Sequence, residues 1–234
     1  AVIGSDIFVP GGRLATGEVT SLMEAYDLRE GRWTSRAPIP VALSAYGLAA
    51  HEGRLYLFGG WDGETYTSSV YEYDPVQDQW YPRAPMSTAR GYAGAAASAG
   101  GIYVVGGYDG EKALSVNELY IPSQDYEGGT PWLLRAPMPN ARYGMGMVSV
   151  ADILHVIGGQ GADNATSLVE YFPQRDEWQD VYSPVAEPWS DLGLAVLETK
   201  LYVLGGRQGG VTSDRVLSYK AIYTVLIPIL PAGE

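Results

Sequence analysis

Five glycine doublets set the frame for this chain: Gly11-Gly12, Gly59-Gly60, Gly106-Gly107, Gly158-Gly159 and Gly205-Gly206. They are spaced by 48, 47, 52 and 47 residues. A fixed period of that size marks a repeat architecture, in which one supersecondary unit is stacked several times. An apolar run precedes each doublet (DIFVP, RLYLF, GIYVV, ILHVI, KLYVL), and a polar loop follows it. Next comes a strand-like run that ends near a tyrosine: Tyr26, Tyr73, Tyr120, Tyr171 and Tyr219. Trp33, Trp80 and Trp178 each stand seven residues after their tyrosine. Trp132 stands twelve after Tyr120, so the third repeat carries five extra residues and its interval rises to 52. An Arg-Ala-Pro step closes three repeats, at Arg36-Ala37-Pro38, Arg83-Ala84-Pro85 and Arg135-Ala136-Pro137, and the fourth has Ser183-Pro184 instead. Twelve residues before each later doublet is a glycine (Gly47, Gly94, Gly146, Gly193) in a run of small residues.

Each unit therefore reads as four short strands: a small-residue strand, an apolar strand ending in the doublet, a strand with the tyrosine and a strand with the tryptophan. No segment carries a helical period. The composition agrees, with 30 Gly, 18 Tyr and 6 Trp in 234 residues, a balance that favours strands and tight turns. A hydrophobic content of 46% is ordinary for a globular protein. With 15 Lys+Arg against 27 Asp+Glu the net charge is −12. That acid excess argues against nucleic acid and against an anionic membrane surface, since both need clustered Lys and Arg. The absence of cysteine removes disulfides, thiolate nucleophiles and Cys-based zinc sites. The most apolar stretch, Ile222 to Pro231, is too short for a transmembrane segment.

A lone four-stranded sheet cannot bury both of its faces. Copies stacked around an axis give every sheet two neighbours, and crowding near that axis explains the small-residue strand. The doublets, the tyrosines, the tryptophans and the period together resemble the kelch-repeat family over essentially the whole chain. The resemblance implies an all-β fold, a kelch-type β-propeller of four-stranded blades. Five blade repeats are visible, and the first lacks nearly all of its first strand. The expectation is a single domain over 1–231, with blades near 1–36, 37–83, 84–135, 136–182 and 183–231, a tail at 232–234, and a place within a six-bladed ring. Residues 221–230 fall at the phase of a fourth strand for the fifth blade. The five-residue insertion within Ser123–Pro131 reads as tolerated drift.

Catalytic motifs are absent: there is no GxSxG elbow, HExxH, P-loop or EF-hand loop. His155 stands where other repeats have Phe8, Tyr56, Tyr103 and Tyr202, and reads as packing; His51 lies in a hairpin loop. No cofactor and no metal site is expected. Asp62-Gly63 and Asp109-Gly110 read as turn formers, and Asn164-Ala165-Thr166 fits a glycosylation acceptor.

Binding is the expected function, on the loop face around the central channel. The residues that follow the doublets are Arg13, Trp61, Tyr108, Gln160 and Arg207, a mixture rich in the aromatic and arginine side chains that recognition surfaces favour. Sixteen residues before the later doublets stand Leu43, Arg90, Arg142 and Trp189. By resemblance to ligand-binding kelch adaptors, Arg90 and Arg142 are expected to reach into the central pocket and hold a carboxylate-bearing peptide or an acidic sugar, with Trp189 as a stacking face. The other reading has these arginines satisfying turn carbonyls or pairing with neighbouring acids.

The sequence thus points to a non-enzymatic interaction module, secreted or envelope-associated and part of a larger protein or assembly. A carbohydrate-active propeller resembling the sialic-acid mutarotases and an intracellular (cytoplasmic) substrate adaptor are the alternatives.

Overall fold

In the computed structural model, residues 1–161, 168–181 and 188–221 are described. Four antiparallel sheets of four strands follow one another along the chain. The first holds β1 (Val2–Ile3), β2 (Asp6–Pro10), β3 (Met23–Asp27) and β4 (Arg32–Arg36). The second holds β5 (Gly47–His51), β6 (Arg54–Trp61), β7 (Tyr66–Asp74) and β8 (Gln79–Arg83). The third holds β9 (Gly94–Ser98), β10 (Gly101–Val105), β11 (Asn117–Tyr120) and β12 (Trp132–Leu134), with helix α1 (Pro122–Tyr126) between the last two strands. The fourth holds β13 (Gly146–Val150), β14 (Ile153–Ile157), β15 (Leu168–Phe172) and β16 (Glu177–Val181). Then come β17 (Trp189–Ser190), β18 (Gly193–Leu197), β19 (Lys200–Leu204), β20 (Arg207–Gln208), β21 (Val211–Thr212) and β22 (Val216–Lys220). Strands β18, β19 and β22 form the fifth sheet, and β17, β20 and β21 a small one above it. The proposed fourth strand of the fifth blade, the Ser183-Pro184 step, the Asn164-Ala165-Thr166 acceptor and the tail lie outside the described residues.

The small-residue strands β5, β9, β13 and β18 touch one another in that order, which places them about a common axis. Between successive sheets lie the apolar wedges. Phe8, Met23 and Ala25 of the first sheet pack on Leu55, Leu57 and Tyr73 of the second. Tyr56, Phe58 and Val70 meet Ile102, Val104 and Tyr120, and Tyr103 and Val105 meet Leu154, Val156 and Tyr171.

The repeated Tyr and Trp do more than fill these gaps. Trp80 Nε1 donates to the Ala37 carbonyl at 2.9 Å, while the Ala37 amide donates to Asp78 Oδ1 at 2.9 Å. Both sides of Ala37 are thus gripped by the next blade. The grip recurs at Ala84, held by Trp132 and Asp125, and at Ala136, held by Trp178 and Asp176. In these three blades the tyrosine hydroxyl donates to the same aspartate, at 2.5, 2.5 and 2.6 Å from Tyr73, Tyr120 and Tyr171. The Tyr73 hydroxyl and the Ala37 amide hold the Asp78 carboxyl below the usual range. Burial and the bond to Asp176 push Tyr171 up to about 12.

The inserted segment belongs to this device. Asp125 keeps its place five residues after Tyr120, and the extra residues loop out behind it. Helix α1 also aims Tyr126 at the second sheet, where its hydroxyl meets Tyr56 at 2.6 Å and donates to the fully buried Glu72 at 2.9 Å. Arg54 and Arg83 complete the shell of Glu72 at 2.8 and 2.7 Å. A segment that reads as drift in the sequence is therefore bonded into its neighbour.

One tryptophan departs from the pattern. Trp33 is 55% exposed, against 8% for Trp80. Its ring leans on Tyr26 of its own blade, with centroids 5.1 Å apart. Gly31 takes the place of the aspartate. Trp80→Phe should destabilise by about 1–2 kcal/mol, because it leaves the part-buried Ala37 carbonyl without its donor. Trp33→Phe should stay within about 0.5 kcal/mol. Urea unfolding followed by circular dichroism separates the two; equal shifts would show that the grip on Ala37 contributes nothing.

Candidate functional site: the aromatic loop face

Each connection between blades is stitched on two sides. The carbonyls of Leu43, Arg90, Arg142 and Trp189 accept from the amides of Gly12, Gly60, Gly107 and Gly159 of the preceding blade, at 2.8 to 2.9 Å. The first glycine of each pair lies beneath these carbonyls: a Cβ on Gly59 would stand 2.2 Å from the Arg90 oxygen, and one on Gly158 2.1 Å from that of Trp189. Their φ values, +60° and +68°, favour glycine too. The next residues along, Ser44, Gly91, Tyr143 and Ser190, bridge to Trp61, Tyr108, Gln160 and Arg207, the residues that follow the doublets.

This arrangement fixes where the expected site residues point. Leu43, Arg90, Arg142 and Trp189 all face inward, and both arginines are fully buried. Arg90 donates to Glu118 Oε2 at 2.7 Å and to the Val104 carbonyl at 3.4 Å. Arg142 donates to the Gly158 carbonyl at 3.4 Å. Burial pulls both guanidinium groups down from their ordinary range, with Glu118 opposing the shift at Arg90. Trp189 spends its Nε1 proton on the Gly205 carbonyl at 2.6 Å. The structure thus puts these arginines with carbonyls and a neighbouring acid, not in the central opening. His155 is buried beside Glu170.

The residues after the doublets do reach the face. Arg13 and Arg207 are exposed, and Arg207 flanks a recess of about 400 Å³ with Gln160, Pro188 and Ser190. Trp61 and Tyr108 are half-buried, because each belongs to an aromatic group that extends over three blades. The ring centroids run Trp61–Tyr66 5.0 Å, Tyr66–Tyr108 5.6 Å, Tyr108–Tyr143 5.0 Å, Tyr143–Tyr92 6.0 Å and Tyr92–Tyr66 6.4 Å. Four tyrosines close a circuit, with Trp61 attached at one corner. Gly91 makes room for it, since a Cβ there would sit 2.7 Å from the Tyr66 ring. Such side chains present wide contact area with few rotamers to freeze.

Tyr92 also belongs to the rim of the channel. The amide of Tyr92 donates to the Ala45 carbonyl at 2.6 Å, that of Gly144 to Tyr92 at 2.9 Å and that of Asp191 to Gly144 at 2.8 Å. All four residues take positive φ, from 54° to 64°. For Ala, Tyr and Asp that conformation is sparsely populated, and it gathers here at the mouth. Asp62 and Asp109 form the expected turns: Oδ1 of Asp62 accepts from Glu64 and Thr65, and that of Asp109 from Glu111 and Lys112, at 2.7 to 2.9 Å.

Tight turns at paired glycines, aromatic grips between blades and sheets about one axis define a β-propeller built from kelch units. The chain belongs to the kelch-repeat family. Residues 42–87 and 89–126 match the Kelch motif. Kelch-like protein 24 of Rattus norvegicus is 38% identical over 224 residues, covering 95% of this chain and 35% of that protein. Kelch-like protein terF of Aspergillus terreus is 28% identical over 226 residues, covering 90% of this chain and 38% of that protein. The chain thus spans about a third of the length of these curated relatives. The solved structure of YjhT has a similar fold, with a TM-score of 0.77 at 14% identity, over 92% of this chain and 78% of that one. Among the described residues no helix is long and apolar enough to cross a membrane.

Proposed function

We propose that this propeller is a non-enzymatic interaction module that takes a protein partner on its loop face, within a larger protein or assembly. The observation that carries the reading is the circuit of Tyr66, Tyr92, Tyr108 and Tyr143 with Trp61 beside it, half-buried except for the exposed Tyr92. Aromatic anchors grouped near the centre of a face are what binding hot spots are made of. The resemblance to Kelch-like proteins favours the intracellular adaptor setting over the secreted one. The acidic-sugar reading needed Arg90 and Arg142 in the central opening, and both guanidinium groups are buried.

The test is selection of displayed peptides against the purified chain, followed by affinity measurements. Selected peptides should bind Tyr108→Ala and Trp61→Ala at least tenfold more weakly, and Leu133→Ala, on the outer strand β12, unchanged. Peptides that bind all three variants alike would defeat the proposal.

A further inference from the structure

The chemistry around the tyrosine circuit says what kind of partner fits it, and this inference rests on the binding face proposed above. Asp62 and Glu64 lie between Trp61 and Tyr66, Asp109 and Glu111 follow Tyr108, and Asp191 is joined through its backbone to Gly144, next to Tyr143. Among the described residues none of these five acids makes an ion pair with a basic side chain. Asp62 and Asp109 use Oδ1 for their turns, which leaves Oδ2 outside those bonds. The backbone amides at those turns, Thr65 first for Asp62 and Lys112 first for Asp109, hold both carboxyls below the usual range, so they are ionised at neutral pH. Among the described residues the cations on this side include Lys112, Arg13 (whose charge acts on Tyr66), Arg207 and Arg215, which donates to Gln208 Oε1 at 3.1 Å, and the five acids outnumber these four. The two arginines expected to receive an anion are buried and turned to the protein itself.

We propose that the face recognises a positively charged segment of a partner protein, with arginine side chains laid against the circuit of Tyr66, Tyr92, Tyr108 and Tyr143 and answered by Asp62, Glu64, Asp109, Glu111 and Asp191. The face of an aromatic ring attracts a cation, and a planar guanidinium stacks on it better than an ammonium does. The net charge of −12 speeds the approach of such a partner.

The experiment titrates the full chain at low salt with three synthetic Gly-Ser peptides of one length, carrying evenly spaced Arg, Lys or Glu, and reads binding by calorimetry. The Arg peptide should bind several-fold more tightly than the Lys peptide, and the Glu peptide not at all. Asp62→Asn/Asp109→Asn, in which the amide oxygen keeps the turns, should weaken Arg-peptide binding about tenfold, and Tyr108→Ala/Tyr143→Ala by at least as much. Glu177→Gln/Asp180→Asn, on β16, should leave it unchanged. An Arg peptide that does not bind, or that the β16 variant weakens as much as the Asp62/Asp109 variant does, overturns the proposal. A Glu peptide that binds and loses affinity in Tyr108→Ala also overturns it while leaving the binding face in place; peptides selected as above that ignore Tyr108→Ala take down the face itself.

Discussion

Gly59→Ala should cost about 4 kcal/mol of stability, among the largest effects of any single methyl group in this protein. Two penalties add. The backbone there takes φ +60°, and the new Cβ would lie 2.2 Å from the Arg90 carbonyl oxygen. A left-handed alanine costs about 1–2 kcal/mol, and overpacking against backbone about 1–3 kcal/mol more. Relief requires moving the connection that stitches the second blade to the third. Gly205→Ala is the internal control: φ is +57°, but the nearest atom, the Ser213 oxygen, is 3.4 Å away. It should cost only the conformational part, about 1–2 kcal/mol. Denaturant midpoints of the two variants against the parent decide it, and equal losses would show that the close approach to Arg90 relaxes freely.

The second large effect lies under the same connection. Glu118→Ala should destabilise by about 3–5 kcal/mol, because it strands the fully buried Arg90 guanidinium. It also removes the acceptor of the Ser87 hydroxyl, 2.5 Å from Glu118 Oε1. Arg90→Met combined with Glu118→Leu should be milder than Glu118→Ala alone, since an apolar pair leaves no charge to strand. A double-mutant cycle read by thermal unfolding measures the coupling. If Glu118→Ala is no worse than the double substitution, the guanidinium has found other partners or water.

The frame of the wheel was plain in the sequence because the residues that build it recur. Paired glycines, tyrosines and tryptophans stand in register, since every blade meets its neighbour in the same way. Asp78, Asp125 and Asp176, each five residues after its tyrosine, carried the same kind of signal. They are the third member of the grip on Ala37, Ala84 and Ala136, a role that their spacing alone does not assign.

The proposed binding face was harder to read, for two physical reasons. Neighbouring residues in the connection point opposite ways, so a displacement of one residue exchanges the buried Arg142 for Tyr143 on the surface. And the face is made where the repeats disagree. Tyr92 has Ala45, Gly144 and Asp191 as its equivalents, so nothing in the period marks it. Trp61 and Tyr108 were found because they follow the doublets; Tyr66 and Tyr143 had no such flag.

The hydrogen-bonded succession Ala45, Tyr92, Gly144, Asp191 forms an arc of backbone along the inner end of the blades. That arc holds Tyr92 in place, and the ring contacts Tyr92–Tyr66 and Tyr92–Tyr143 carry the constraint to its neighbours. On the proposed reading the face is set in advance, and the entropy of ordering falls mostly on the partner.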